Sequence, residues 1–381
     1  LWDANNRRTD SQSADVGSQI SGGGAIKLSA GQDLVATAAN VQAADALNVS
    51  ANNIRIQAGR AIQSIDESHQ HTSKGFLNKR TVTSRDASTN TTALGSDFGA
   101  KELSLSAGNN MVIAGSSVIG DSATTLKAKS NITLEADANT VSSSSYRQES
   151  KSGVMSGGGL GVSIGTQKQS TDDKDQITTA AASTVGSVGG NVNIIAGNQY
   201  KQVGSDVLAP GGDINITAKT VDIQEARETN KQSSEQKFEQ SGLTLALTST
   251  VVSTVQNAQS QLKAATQTSD SRMKTLAGAS AAVNVKMAAD ALKAGQGDEY
   301  GMVKTGATNP DGSPETAPAN AADKAGGIQV SLSYGTSSSQ SNSANQSDSA
   351  RGSTVIAGGT TTIKAIGGGE NSNLTIQGSD V

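Results

Sequence analysis

The chain of 381 residues contains no cysteine, so no disulfide framework can stand in for a hydrophobic core. Aromatic residues make up only 2 %, as one Trp, three Phe and four Tyr. Compact cores use aromatic rings as their largest fillers, which argues against the two or three ordinary domains that the length alone would permit. Proline is limited to four residues. Positive charge is nowhere concentrated: 30 Lys and Arg stand against 34 Asp and Glu, for a net charge of −4. Without a basic stripe to neutralise phosphates, nucleic acid is not an expected partner. No apolar run is long enough for a bilayer-spanning helix. The chain opens at Leu1-Trp2-Asp3 with neither an initiator Met nor a signal peptide, and so reads as an excised piece. A cysteine-free chain also suits export through a pore in the unfolded state.

What the chain has in quantity is glycine, 42 residues, and short alternating runs of Val, Ile and Leu within a hydrophobic fraction of 34 %. Those runs argue against disorder throughout. They also repeat. Ile26-Lys27-Leu28-Ser29-Ala30-Gly31-Gln32, Leu103-Ser104-Leu105-Ser106-Ala107-Gly108-Asn109 and Val192-Asn193-Ile194-Ile195-Ala196-Gly197-Asn198 share one pattern. Each is followed, ten residues after its glycine, by a valine: Val41, Val118 and Val207. A fourth copy begins at Thr354-Val355-Ile356-Ala357-Gly358-Gly359, and Gly204-Ser205-Asp206-Val207 recurs as Gly378-Ser379-Asp380-Val381. A shorter period lies inside each copy. Leu28 precedes Val49, Val35 precedes Ile56, Leu105 precedes Leu126 and Ile113 precedes Leu134, each by 21 residues; Ile194 precedes Ile216 by 22.

A period near 21 residues with several short strands per period is the requirement of a parallel β-helix. The expected fold class is therefore all-β: a right-handed parallel β-helix with protruding β-hairpins and a helical insertion, the handedness following from the general preference of parallel crossovers. Alternation places Leu28, Val35, Val49, Ile56, Leu105, Ile113, Leu126, Ile132, Leu134, Ile194, Ile214, Ile216, Val221 and Ile223 in the core.

Coils are expected at residues 24–63, 101–141, 186–226 and 353–381. Residues 1–23 read as a partial hairpin excursion, 64–100 as an excursion, and 142–185 and 328–352 as hairpin excursions. The last two resemble two-stranded ribbons that leave the coil and return. A lone hairpin is marginal in water, so these are expected to be the mobile parts, either as tolerated loops or as partner contacts. Residues 227–327 read as an inserted segment. Within it, Val251, Val255, Ala258, Leu262 and Ala265, then Met273, Leu276, Val283 and Met287, recur at helical spacing, with Asp270 as an N-cap. This predicts a helical hairpin over 249–294, packed on the coil flank or, alternatively, meeting a membrane. Residues 308–323, with Pro310, Pro314 and Pro318, read as a linker.

The Ala-Gly-Asn/Gln coils, the Gly-Ser-x-Val units and Tyr146 followed by Ser150-Lys151-Ser152-Gly153 resemble the haemagglutinin repeats of filamentous haemagglutinin-type proteins. Leu243-Thr244-Leu245-Ala246-Leu247, Val255-Gln256-Asn257-Ala258-Gln259 and Arg272-Met273-Lys274-Thr275-Leu276-Ala277 resemble the C-terminal repeat region of CdiA-type contact-dependent growth inhibition effectors. The resemblance implies export through an outer-membrane two-partner secretion transporter and a toxin domain further C-terminal. It also implies a surface or outer-membrane location, periplasmic before target contact, and a part in carrying the toxin across the target's outer membrane or meeting a receptor there. A structural shaft of an adhesin is the alternative.

No reaction chemistry is expected, and no cofactor. His69 and His71 fall on one side of a strand without a cysteine or carboxylate cluster to complete a metal shell. Gly157-Gly158-Gly159-Leu160-Gly161 lacks the strand–loop–helix setting of a phosphate loop. Asp172-Asp173-Lys174-Asp175 reads as a solvated tip.

Overall fold

The structure is a computed structural model that describes residues 5–156, 162–248, 286, 289, 290, 293, 300–319 and 329–381. Its body is a stack of parallel coils. Each coil contributes two short strands to one sheet and one strand to a second, seven-stranded sheet. Successive coils pair in register, so like side chains lie one above another. One column runs Leu28, Val49, Leu105, Leu126, Ile194, Ile216, Ile363. Another runs Ile20, Val41, Phe98, Val118, Val185, Val207, Val355. On the second sheet Ala36, Ile56, Ile113, Leu134, Gln202, Ile223 and Ile376 are stacked. Val49, Ile56, Leu105, Ile113, Leu126, Ile132, Leu134, Ile194, Ile214, Ile216, Val221 and Ile223 are buried, and Leu28 packs half-buried near one end of the stack.

Val35 differs from its expected place: it is 61 % exposed. In the strand Asp33–Thr37 the inward residues are Leu34 and Ala36, which pair with Ile54 and Ile56, while Val35 pairs with Arg55 on the outer face. The coil is one residue shorter here than the 21-residue spacing implies. A one-residue slip in strand register moves a side chain to the opposite face.

The corners carry polar ladders. Ser96, Ser116, Ser183, Ser205 and Ser353 are buried one above another, and each backbone N–H donates to the next serine Oγ at 3.1–3.4 Å. Each of these hydroxyls donates in turn to a carbonyl, as Ser116 does to Ala114 and Ser353 to Gln224. A second ladder links Asp33, Asn53 and Asn109 through side-chain amides, and a third joins Asn110, Asn131 and Asn198. These bonds satisfy backbone groups that tight corners would otherwise leave unpaired. Gly115 and Gly204, each just before a ladder serine, adopt φ near +54° and +52°; a Cβ on Gly204 would lie 2.3 Å from the Ala226 Cβ. Only glycine fits such a corner without strain.

Coils are joined in two alternating ways. Short links follow Thr37, Ala114 and Val203, whereas long excursions follow Gln57, Glu135 and Gln224. The excursions do not stand alone as ribbons. Strands Asn6–Ala14, Gly59–Lys74, Asn78–Leu94, Asp137–Ser156, Val162–Ala181, Ala226–Thr248 and Gln329–Arg351 form one seven-stranded antiparallel sheet in that order. The reason is dimensional. Two coils rise about 9.6 Å, and a hairpin is two strands wide, also about 9.6 Å. One hairpin per two coils therefore brings each hairpin edge to pairing distance of the next. Arg60 and Arg351 anchor the base of this sheet, through Asp137 at 2.7 Å and Asp206 at 2.8 Å.

Other expectations need adjustment. Residues 328–352 are not a hairpin by themselves: Gln329–Arg351 pairs with Ala226–Thr248. Residues 227–248 are thus a strand of the outer sheet rather than part of an insertion. Part of the expected proline linker is a small hairpin, Met302–Thr308 with Pro314–Pro318, turned at Asn309-Pro310-Asp311-Gly312 with Gly312 at φ +85°. The acidic run Asp172 to Asp175 lies in the middle of strand Val162–Ala181, not at a tip. The helical hairpin over 249–294 and the glycine run 157–161 lie outside the described residues, except Lys286, Ala289, Asp290 and Lys293, which are helical.

Candidate interaction surface of the outer sheet

The outer sheet is polar over most of its length and apolar on one face at its far end. Val154, Ile164, Leu243 and Tyr334 lie in one row across four strands. Val162, Leu245 and Leu332 occupy the next row on the same face. Alternation puts Leu243 and Leu245 on this side together with Leu332 and Tyr334, with Ser333 on the other. Leu332 is 66 % exposed and Tyr334 78 %, and Val162, Ile164, Leu243 and Leu245 are also exposed. At the neighbouring hairpin turn Phe76 is 98 % exposed, with Leu77 beside it. Gly153, Gly165, Gly242 and Gly335 form the adjoining row on the opposite face. A contiguous exposed apolar patch of this kind marks an interaction or membrane surface rather than ordinary surface scatter.

Halfway along the sheet the chemistry is acidic. Glu67, Asp86, Ser145, Asp173, Ser234 and Ser343 form one row, and Ile65, Ser88, Ser143, Asp175, Gln232 and Asn345 the next. Together they line a concavity of about 540 Å³. Ser145 donates to Asp86 at 2.6 Å, Glu67 meets Arg8 at 3.6 Å, and Asp175 Oδ1 is buried without a hydrogen-bond partner. Nearer the far end, the Glu149 carboxyl is held down to about 2 by its hydrogen bond with Arg80 of the preceding hairpin, helped by Lys151.

His69 and His71 share a face of strand Gly59–Lys74, and His69 is engaged by Asn6 at 2.8 Å and Glu67 at 2.7 Å. Among the described residues no three His, Cys, Asp or Glu side chains are grouped to hold a metal. The two buried groups with unusual chemistry are structural: Tyr200, whose hydroxyl is pushed up by burial, donates to Gln202 at 2.9 Å, and Gln202 donates onward to the Ser205 carbonyl. Neither the buried serines nor this pair was anticipated from the sequence. The recurrent Gly-Ser-x-Val unit was the available signal for the serines.

The family profile "Hemagglutinin repeat" matches residues 3–79, 77–171, 164–308 and 332–381. Among similar proteins, the "16S rRNA endonuclease CdiA" of Enterobacter cloacae is 35 % identical over 96 % of this chain and 10 % of its own length. The "tRNA nuclease CdiA" of Yersinia mollaretii is 34 % identical over 86 % of this chain and 11 % of its own. The "Deoxyribonuclease CdiA" of Yersinia pseudotuberculosis is 36 % identical over 71 % of this chain and 23 % of its own. The chain thus spans about a tenth to a quarter of the length of these relatives. No solved structure gives a significant match. With its stacked coils and a profile match along nearly its whole length, the chain belongs to the hemagglutinin-repeat family and is similar to the repeat region of CdiA proteins.

Proposed function

We propose that this chain is a non-catalytic delivery segment of a large, secreted, surface-exposed CdiA-type protein. In this reading the apolar far end of the outer sheet meets the outer membrane of a target cell while a toxin carried elsewhere in the same protein is passed across. The observation that carries the reading is the exposed apolar face of Val162, Ile164, Leu243, Leu245, Leu332 and Tyr334 at the end of a long sheet. Such a face gains about 25 cal/mol for each Å² of apolar surface removed from water. It is built of strands, and no helix among the described residues is long and apolar enough to cross a membrane. The reading of the chain as non-catalytic is supported by relatives that share the segment yet carry three different nuclease names, which points to chemistry lying outside it. Export by a two-partner transporter, and a periplasmic stage before target contact, belong to the same proposal.

The experiment is substitution of Leu243→Ser together with Leu332→Ser in the full-length protein. Both positions are on the exposed face, so the fold should hold. Target-cell inhibition should fall at least tenfold while attachment to target cells is retained. Undiminished inhibition would refute the delivery role and favour a plain adhesin shaft, in which the coil stack only spaces a distal tip from the producing cell.

A further inference from the structure

The far end of the outer sheet is graded in chemistry along its strands. The two apolar rows through Val162 and Ile164 come first. The next row on the same face is made of hydroxyls, Ser152, Thr166, Ser241 and Thr336, and it ends in Lys79 and Lys74. Lys168 and Lys237 stand in the two rows behind it, and Glu239, opposite Lys168, is the one carboxylate in these three rows. Lys237 is held by Glu235 at 2.8 Å. Lys74, Lys79 and Lys168 are exposed, and among the described residues none of the three is ion-paired. Lys74 and Lys79 are direct cross-strand partners. Like charges so placed weaken a strand pair, a cost that an anionic partner removes.

The hairpin turn between those two lysines completes the arrangement. It reads Gly75-Phe76-Leu77-Asn78, with Phe76 98 % and Leu77 59 % exposed. The Leu77 carbonyl accepts the Val154 N–H at 2.9 Å, which sets this tip level with the apolar row of Val154 and Ile164. Apolar groups thus lie at one level, and hydroxyls and lysines follow one row behind, about 7 Å back along the strands. The layering matches a lipid boundary, where interfacial elements bury their apolar side to a depth of about 5–10 Å and lysines reach the headgroup layer with their stems on apolar surface. We propose that this far end docks on a lipid surface carrying phosphate headgroups, with Phe76, Leu77 and the apolar rows entering the acyl boundary and Lys74, Lys79 and Lys168 meeting the phosphates. The inference rests on the membrane-facing reading above and adds to it the chemistry of the headgroup.

Co-sedimentation of the full-length protein with two kinds of vesicle tests this, one of phosphatidylcholine alone and one of phosphatidylcholine and phosphatidylglycerol in equal parts. Binding should be at least tenfold tighter to the second kind, and added sodium chloride should erase the difference. The variant carrying Lys74→Gln, Lys79→Gln and Lys168→Gln should lose that preference while binding phosphatidylcholine as the parent does. All three side chains are exposed, so the fold should hold. Equal binding of the parent to both vesicles, or a preference unchanged in the triple variant, would overturn the proposal. The apolar reading fails separately: Leu243→Ser with Leu332→Ser should weaken binding to both kinds of vesicle. If that pair leaves both unchanged while the lysine variant loses its preference, the headgroup contact stands and apolar insertion does not, which overturns the layered docking proposed here.

Discussion

At the scale of single residues, stability comes from side chains that repeat in columns, and their contributions differ sharply by face. Ile113 is fully buried between Ile56 below and Leu134 above, whereas Val35 points out of its strand. Replacing Ile113 by Asp buries an unpaired charge and should cost about 4 kcal/mol or more; Val35→Asn should change stability by less than about 0.5 kcal/mol. Thermal melts of the two variants check this, and comparable losses would show that the facing is wrong. The columns of Leu28, Leu105 and Ile194 were legible because bulky aliphatics recur at one spacing. Val35 was misassigned because the inward neighbour is Ala36, too small to announce itself beside a valine. The buried serines were hidden for a related reason. Serine reads as surface, and only the coil corner, where its hydroxyl meets a backbone carbonyl and the N–H of the next corner, turns it inward.

At the scale of elements, the hairpins hold one another through pairing and through charge across their junctions. Arg80 of one hairpin lies 2.7 Å from Glu149 of the next, and this contact is the largest cause of the depressed Glu149 carboxyl. A carboxyl held below its ordinary value stabilises the folded state fully above about pH 4.5, and that contribution is lost as pH falls through about 2. Glu149→Gln should therefore lower stability at pH 7, by less than about 1 kcal/mol because the pair is largely solvated. The difference from the parent should shrink between pH 4.5 and 2 in melts run across that range. A gap of constant size down to pH 2 would contradict the assignment. The existence of the excursions was readable in the lapse of apolar alternation, but their mutual pairing was not. Strands that are polar on both faces, such as Ser142-Ser143-Ser144-Ser145, carry no pattern that fixes a partner or a register. Pairing here is imposed from outside, by the coils that space the hairpins.

At the scale of the whole molecule, two sheets of different kinds share one rise. The parallel coils set the interval, the antiparallel sheet fills it, and the apolar far end is thereby carried as a row across consecutive hairpins rather than as an isolated tip. The far end was partly legible, since Leu243-Thr244-Leu245 and Val162-Ser163-Ile164 alternate plainly, but that they lie side by side depends on hairpins built far apart in the chain. The central claim is that successive hairpins join into one sheet in step with the coils. Its most direct measurement is oxidative cross-linking of Ser88→Cys with Ser143→Cys, residues of different hairpins that face one another in the register. The account predicts a disulfide in the native protein that is formed in high yield and lost on unfolding before oxidation. No link between these positions, alongside ready linking of Ser143→Cys with Asp175→Cys within one hairpin, would contradict it.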